Sequence, residues 1–193
     1  GNYGTCWAFA TYGSLESWLK LSESEEYDFS ENNLVNLHGF YYQLGGFYNP
    51  SIGGNYLMST AYLTRWSGPV YEDDDPYPRK GASTGNEIVR KHVQNVLFLP
   101  PRSSSTDNDS IKNAVMNYGA VGVSMYMDES PTYYNRDNHS YYYNGTSSPN
   151  HAVCIVGWDD TYSASNFNST PPGNGAFIVR NSWGTGWGES GYF

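Results

Sequence analysis

Gly4-Thr5-Cys6-Trp7-Ala8-Phe9 stands near the start of this 193-residue chain, and the residues after the cysteine decide how it is read. From Trp7 to Leu21 the residues Ala8, Tyr12, Leu15 and Leu19 recur at spacings of four, three and four. That repeat predicts a helix with one buried face, beginning at Cys6. A helix start carries unpaired N–H groups and the positive end of the backbone dipole. Both favour a thiolate, the form of sulfur that acts as a nucleophile. Taken alone, a cysteine before a helix reads as a small buried hydrophobe. Two later stretches change that reading: Asn150-His151-Ala152-Val153, and Arg180-Asn181-Ser182-Trp183-Gly184-Thr185-Gly186-Trp187-Gly188. His151 opens a predicted strand and Asn181 closes another, so a nucleophile, an acid–base group and an amide are supplied from three separate elements. In such a set the histidine takes a proton and later returns it, and the asparagine oxygen accepts from its ring. Trp183, two residues on, is an apolar cover that keeps water from that hydrogen bond.

In their order and surroundings these three motifs resemble papain-like cysteine proteases. The resemblance extends between them: Phe29-Ser30-Glu31-Asn32-Asn33-Leu34-Val35 looks like the family's second helix, with Ser30 as N-cap and Leu34 and Leu37 on its inner face. Gly53-Gly54-Asn55-Tyr56 is similar to the glycine pair that opens the third helix, where a missing Cβ lets a peptide backbone approach. The run Tyr71 to Pro78 matches the stretch leading out of the helical lobe. Its acids lack the spacing of an EF-hand loop and read as a solvated turn.

The second half changes period. Val93–Leu99, Ala120–Met127, Ala152–Trp158 and Ala176–Arg180 read as strands, and Ile111–Tyr118 as a helix capped by Asp109 and stopped by Gly119. Helices first and strands second give an α+β class. The resemblance implies a single two-lobed peptidase domain over 1–193, with a helical lobe over 1–98, an antiparallel β-rich lobe over 99–193, and the active site in the cleft between them. It implies catalysis by Cys6, His151 and Asn181, with Gly53, Gly54, Tyr56, Ser124, Asn150, Ala152 and Trp183 contacting substrate. Tyr56, Ser124 and Ala152 would line the pocket for the second residue before the scissile bond, which their lack of charge makes apolar. The implied activity is endopeptidase hydrolysis through a thioester on Cys6. The alternatives are acyl transfer or peptide ligation on the same triad, and an inactive binding or adhesion homologue.

Acids outnumber bases 19 to 10, which argues against nucleic acid as partner because phosphate binding draws on clustered Lys and Arg. Polypeptide is the expected substrate, and other domains of a longer parent chain are expected neighbours. No apolar run approaches the roughly 20 residues of a membrane span. His38, His92 and His139 have no thiol or acid at ligand spacing, so no metal and no cofactor are expected. Cys154 lies on a strand of the other half from Cys6, three residues past His151 and on the opposite face, and reads as a buried hydrophobe. Sequons begin at Asn108, Asn138, Asn144 and Asn168, which with the exposed Ser140–Gly145 and Ser163–Gly175 loops suggests a secreted or cell-surface protein. The chain opens inside what the resemblance makes a catalytic loop and ends inside a strand, so it reads as a fragment. By the same resemblance an oxyanion-hole Gln is expected immediately before Gly1.

Overall fold

The computed structural model describes residues 3–40, 53–78 and 83–193. The chain forms two compact units, Gly1–Pro101 and Arg102–Phe193.

The first unit is helical. Helix α1 spans Cys6–Glu23 and ends where Ser24 takes a left-handed conformation at φ 57°. Of the expected stripe, Ala8, Tyr12 and Leu19 are buried and Leu15 is half-buried; Trp7, Ala10 and Gly13 are buried as well, so the helix is enclosed beyond one face. Helix α2, Glu31–Leu37, starts as expected at Ser30, whose Oγ accepts from the Asn33 N–H at 2.9 Å. Helix α3, Tyr56–Thr64, is capped by Asn55 Oδ1, which accepts from Leu57 and Met58 N–H at 3.0 and 3.2 Å. Trp7, Tyr12, Phe29, Leu34, Tyr62 and Val70 form the unit's apolar centre.

A polar knot sits among them. Asp75 is fully buried. Its two carboxylate oxygens accept from Asn32 Nδ2 at 2.8 Å and Asn33 Nδ2 at 3.0 Å, while its carbonyl accepts from Ser30 Oγ at 2.5 Å. Asn33 Oδ1 accepts in turn from the Tyr62 hydroxyl at 2.5 Å. The acidic run at 72–75 is therefore not the solvated turn expected of it. Asp73 and Asp74 are exposed on a 3-10 turn, whereas Asp75 turns inward to satisfy amides that α2 carries into the core.

The second unit begins with α4, Asp109–Tyr118, which Gly119 stops at φ 85°. Asp109 is its first residue and not its cap; Asn108 occupies the cap position, but its Oδ1 accepts from Arg102 Nη1 at 2.8 Å. Strands β1 (Val121–Met125), β4 (His151–Asp159) and β5 (Ala176–Arg180) make one antiparallel sheet in the order β1-β4-β5, and β2 (Tyr134–Asn135) pairs with β3 (Ser140–Tyr141). Ser140 is buried within that hairpin, so the stretch from 140 to 145 is not wholly the exposed loop expected. On the long β4–β5 connection, Asn168 Nδ2 donates to the Pro131 and Tyr134 carbonyls at 2.7 and 3.1 Å, and Asn138 Nδ2 donates to the Asn166 carbonyl at 3.2 Å. Two of the four sequon amides thus pin this loop to the hairpin.

The strand expected at Val93–Leu99 is absent. These residues run without a ladder, and Val96, Leu97 and Phe98 are exposed. Apolar, β-prone composition identifies a segment able to pair, but a strand exists only where a neighbour supplies the other half of the ladder. The helices and antiparallel strands together give the α+β class.

The buried acids make the first unit's stability testable. Replacing Asp75 by Ala takes one acceptor from each of the buried Asn32 and Asn33 amides, leaving them Ser83 and Glu87; it should cost about 3 kcal/mol and lower Tm by about 6–12 °C in thermal unfolding. Burial also pushes Glu31 up to about 8 and Glu72 up to about 7. For acids raised this way, folding favours the neutral form, so their contribution is complete below the ordinary carboxylate range and is lost as pH rises through 7 and 8. Urea unfolding of Glu31→Gln at pH 5 and pH 9 should therefore show a smaller stability difference than the parent chain.

Candidate active site

Cys6 is the first residue of α1 and is half-buried. Thr5, just before it, does not cap the helix: its hydroxyl hydrogen-bonds the Tyr77 hydroxyl at 2.8 Å, while its carbonyl accepts from Ala8 N–H at 2.9 Å. The Tyr77 contact fixes the residue before Cys6 without consuming a first-turn N–H. Gly53 has φ +83°, and among the described residues nothing lies within 4 Å of where a Cβ would stand. Gly54 is glycine for a different reason, since a Cβ there would lie 2.2 Å from the Trp7 indole. Tyr56 heads α3.

In the second unit, His151 opens β4 opposite Met125 of β1, and Asn181 comes directly after the last residue of β5, whose Arg180 lies opposite Cys154. The Asn181 N–H donates to the Gly191 carbonyl at 2.9 Å, which holds the residue as it leaves the ladder. His151 Nε2 and Asn181 Oδ1 are 2.8 Å apart, and the two residues are only 9% and 7% exposed. The Asn181 oxygen also accepts from Ser182 N–H at 2.8 Å. That backbone donor settles the amide's orientation, because a reversed amide would set N–H against N–H. Nε2 of His151 therefore carries the proton, and Nδ1 is the nitrogen with a free lone pair. The Trp183 ring packs at a tilt against the His151 ring at 4.8 Å and edge-on against Trp187 at 5.0 Å. Burial pulls the His151 pKa below its ordinary value; the Asn181 hydrogen bond and the nearby Glu129 charge act in the opposite direction.

The remaining expected residues divide by role. Ser124 and Ala152 face each other in register on β1 and β4, Ser124 exposed and Ala152 buried. Asn150 spends its amide on Met127, accepting from its N–H at 2.7 Å and donating to its carbonyl at 3.0 Å. This brace shapes a hollow of about 180 Å³ lined by Met127, Glu129, Asn150, His151 and Trp183. Met127 and Glu129 carry no signal in the sequence, since they belong to no motif and follow β1, which pairs with the start of β4. Among the described residues no group of three or more His, Cys, Asp or Glu is placed to hold a metal ion.

Known proteins resemble this chain over its whole length. The chain is 31% identical over 203 residues to a cysteine protease of Blomia tropicalis, covering all of this chain and 54% of that protein. It is 30% identical over 198 residues to cathepsin K of Mus musculus, covering all of this chain and 53% of that protein. It thus spans about half the length of the curated relatives it matches. Among solved structures, the cysteine protease and lectin-like domains of Cwp84, a surface layer associated protein of Clostridium difficile, align over the whole chain and 43% of that structure, with a TM-score of 0.84 and 32% identity. The model of the papain family cysteine proteases matches residues 1–193, and the chain belongs to that family.

Proposed function

We propose that this chain is the peptidase domain of a cysteine endopeptidase, its two units being the lobes of that one domain. The observation that carries the reading is the buried His151–Asn181 hydrogen bond beside Trp183, in a chain that begins a helix with Cys6. In this reading His151 Nδ1 takes the thiol proton and the Cys6 sulfur attacks the peptide carbonyl carbon. The imidazolium then protonates the leaving amine as the C–N bond breaks, leaving a thioester on Cys6. Water, deprotonated by the same nitrogen, releases the acid and restores the thiol. Asn181 holds the ring throughout, and the Cys6 backbone N–H is the donor to the carbonyl oxygen as charge develops there. In this reading Tyr56, Ser124 and Ala152 contact the second residue before the scissile bond, and Gly53 and Gly54 receive the substrate backbone. Because a similar protein is associated with a bacterial surface layer, we place the activity outside the cell or at its surface. Among the described residues no helix is long and apolar enough to cross a membrane.

Fluorogenic peptide hydrolysis tests the assignment. Cys6→Ala should abolish turnover with an unchanged circular dichroism spectrum. His151→Ala should lower kcat by about 10²–10⁴-fold, and Asn181→Ala by less, since it orients and does not react. Retention of most activity by Cys6→Ala overturns the proposal.

The pH profile of kcat/KM should be bell-shaped, with limbs that belong to the sulfur–imidazole pair jointly. The Asn181 oxygen favours the protonated ring, so Asn181→Ala should move the alkaline limb to lower pH. A rate that only rises through pH 9 would contradict the paired mechanism.

A further inference from the structure

The hollow beside His151 contains a charge that the sequence motifs do not account for. Its lining sets the buried Met127, the half-buried Trp183 indole and the exposed carboxylate of Glu129 beside the Asn150 amide and the His151 ring. Glu129 is not a loose surface side chain, because its Oε1 accepts from Trp187 Nε1 at 2.8 Å. Trp187 is itself clamped between rings, stacked on Tyr134 at 5.2 Å and edge-on to Trp183 at 5.0 Å. The carboxylate is thus held at the hollow's wall by an aromatic framework shared with the residue that packs on His151.

An apolar base, an aromatic wall and a fixed carboxylate together match one kind of guest: a long alkyl stem ending in a cation. The stem lies on Met127, the cation meets the ring face, and the carboxylate takes the N–H groups. At about 180 Å³ the hollow is well below the size of a drug-like ligand site and suits a single side chain. Its position identifies which one. In the endopeptidase reading His151 gives its proton to the leaving amine, so the substrate residue beside His151 is the one that carries that amine.

We infer that Glu129 makes this hollow a selectivity pocket for Arg or Lys at the residue immediately after the scissile bond. The inference rests on the endopeptidase reading for the direction of the substrate, but the pocket's taste for a cation is a binding property testable without turnover. An exposed ion pair and a cation–π contact together correspond to about a tenfold preference, reduced by salt.

The test has two arms. In the first, kcat/KM is measured for peptides that differ only in the residue after the cleaved bond, with Arg, Lys, Leu or Glu there. Arg and Lys should exceed Leu by about tenfold and Glu should be poorest. In Glu129→Gln, which keeps an acceptor for Trp187, the Arg-to-Leu ratio should fall toward one, and in Glu129→Lys the Glu peptide should overtake the Arg peptide. Ratios that are flat in the parent enzyme, or unmoved by Glu129→Gln, overturn the inference. In the second arm, Cys6→Ala protein is titrated with arginine amide, leucine amide and glutamic acid α-amide, tracking tryptophan emission and the His151 ring protons. Arginine amide should bind about ten times more tightly than leucine amide, and less so at high salt. Equal binding overturns the pocket whatever the kinetics show, whereas selective binding with no cleavage of any peptide overturns the endopeptidase reading and leaves the pocket standing.

Discussion

The hydrogen bond from His151 Nε2 to Asn181 Oδ1 organises the second unit. Both residues are polar and nearly buried, and an unpaired imidazole or amide in that position would carry a desolvation penalty with nothing to offset it. The sheet must therefore deliver the two ends to each other. β4 begins at one partner and β5 ends just before the other, and the return of Tyr192 and Phe193 alongside β5 fixes the chain beyond it, with Val179 and Phe193 exchanging backbone hydrogen bonds at 2.9 and 3.0 Å. Glycines at positive φ at 184, 188 and 191 let the intervening turn fold tightly, and a Cβ on Gly188 would lie 2.3 Å from the Tyr192 carbonyl oxygen. Of the tryptophans in the same turn, Trp183 packs on the His151 ring and Trp187 packs edge-on against Trp183.

The first unit meets a similar demand with other groups. Its helices bring Asn32 and Asn33 into the interior, and the fully buried Asp75 is the acceptor that makes this tolerable. The chain leaving that network reaches toward the start of α1. Two residues past Asp75, the Tyr77 N–H donates to Glu72 Oε1 at 2.6 Å, and the Tyr77 hydroxyl meets Thr5 beside Cys6. A chain with an excess of acids thus uses some of them as internal struts and sheds the rest to solvent.

The features legible in the sequence obey local rules. The helix after Cys6, the cap at Ser30, the stop at Gly119 and the strands at His151 and Ala176 each depend on periodicity or on a turn residue, and those signals are contiguous in sequence. The burial of Asp75 is not legible, because it depends on partners some forty residues away, and nothing in an acidic run distinguishes the residue that turns inward. Val93–Leu99 is misleading for the complementary reason: its composition suits a strand, but pairing belongs to two segments and composition to one. The cap position of α4 belongs to Asn108, whose side chain serves Arg102 in place of the helix, a competition no local pattern encodes. At the site, His151, Asn181 and Trp183 lie within motifs, whereas Met127 and Glu129 acquire their place through long-range partners, the Asn150 amide and the Trp187 indole.

The sheet carries one irregularity. Between Ile155 and Gly157 the β4–β5 pairing slips, with Val156 left over, so the ladder has two segments. The segment containing Cys154 and Arg180 borders His151 and Asn181; the segment from Gly157 to Asp159 borders the long connection at 160–175. The bulge works as an expansion joint: a surplus residue is absorbed at mid-strand and is not transmitted along the whole strand, where it would turn every side chain to the other face. Drift in the length or sequence of the connection is thereby taken up on its own side of the joint, and the alignment of the histidine with its amide is insulated from it.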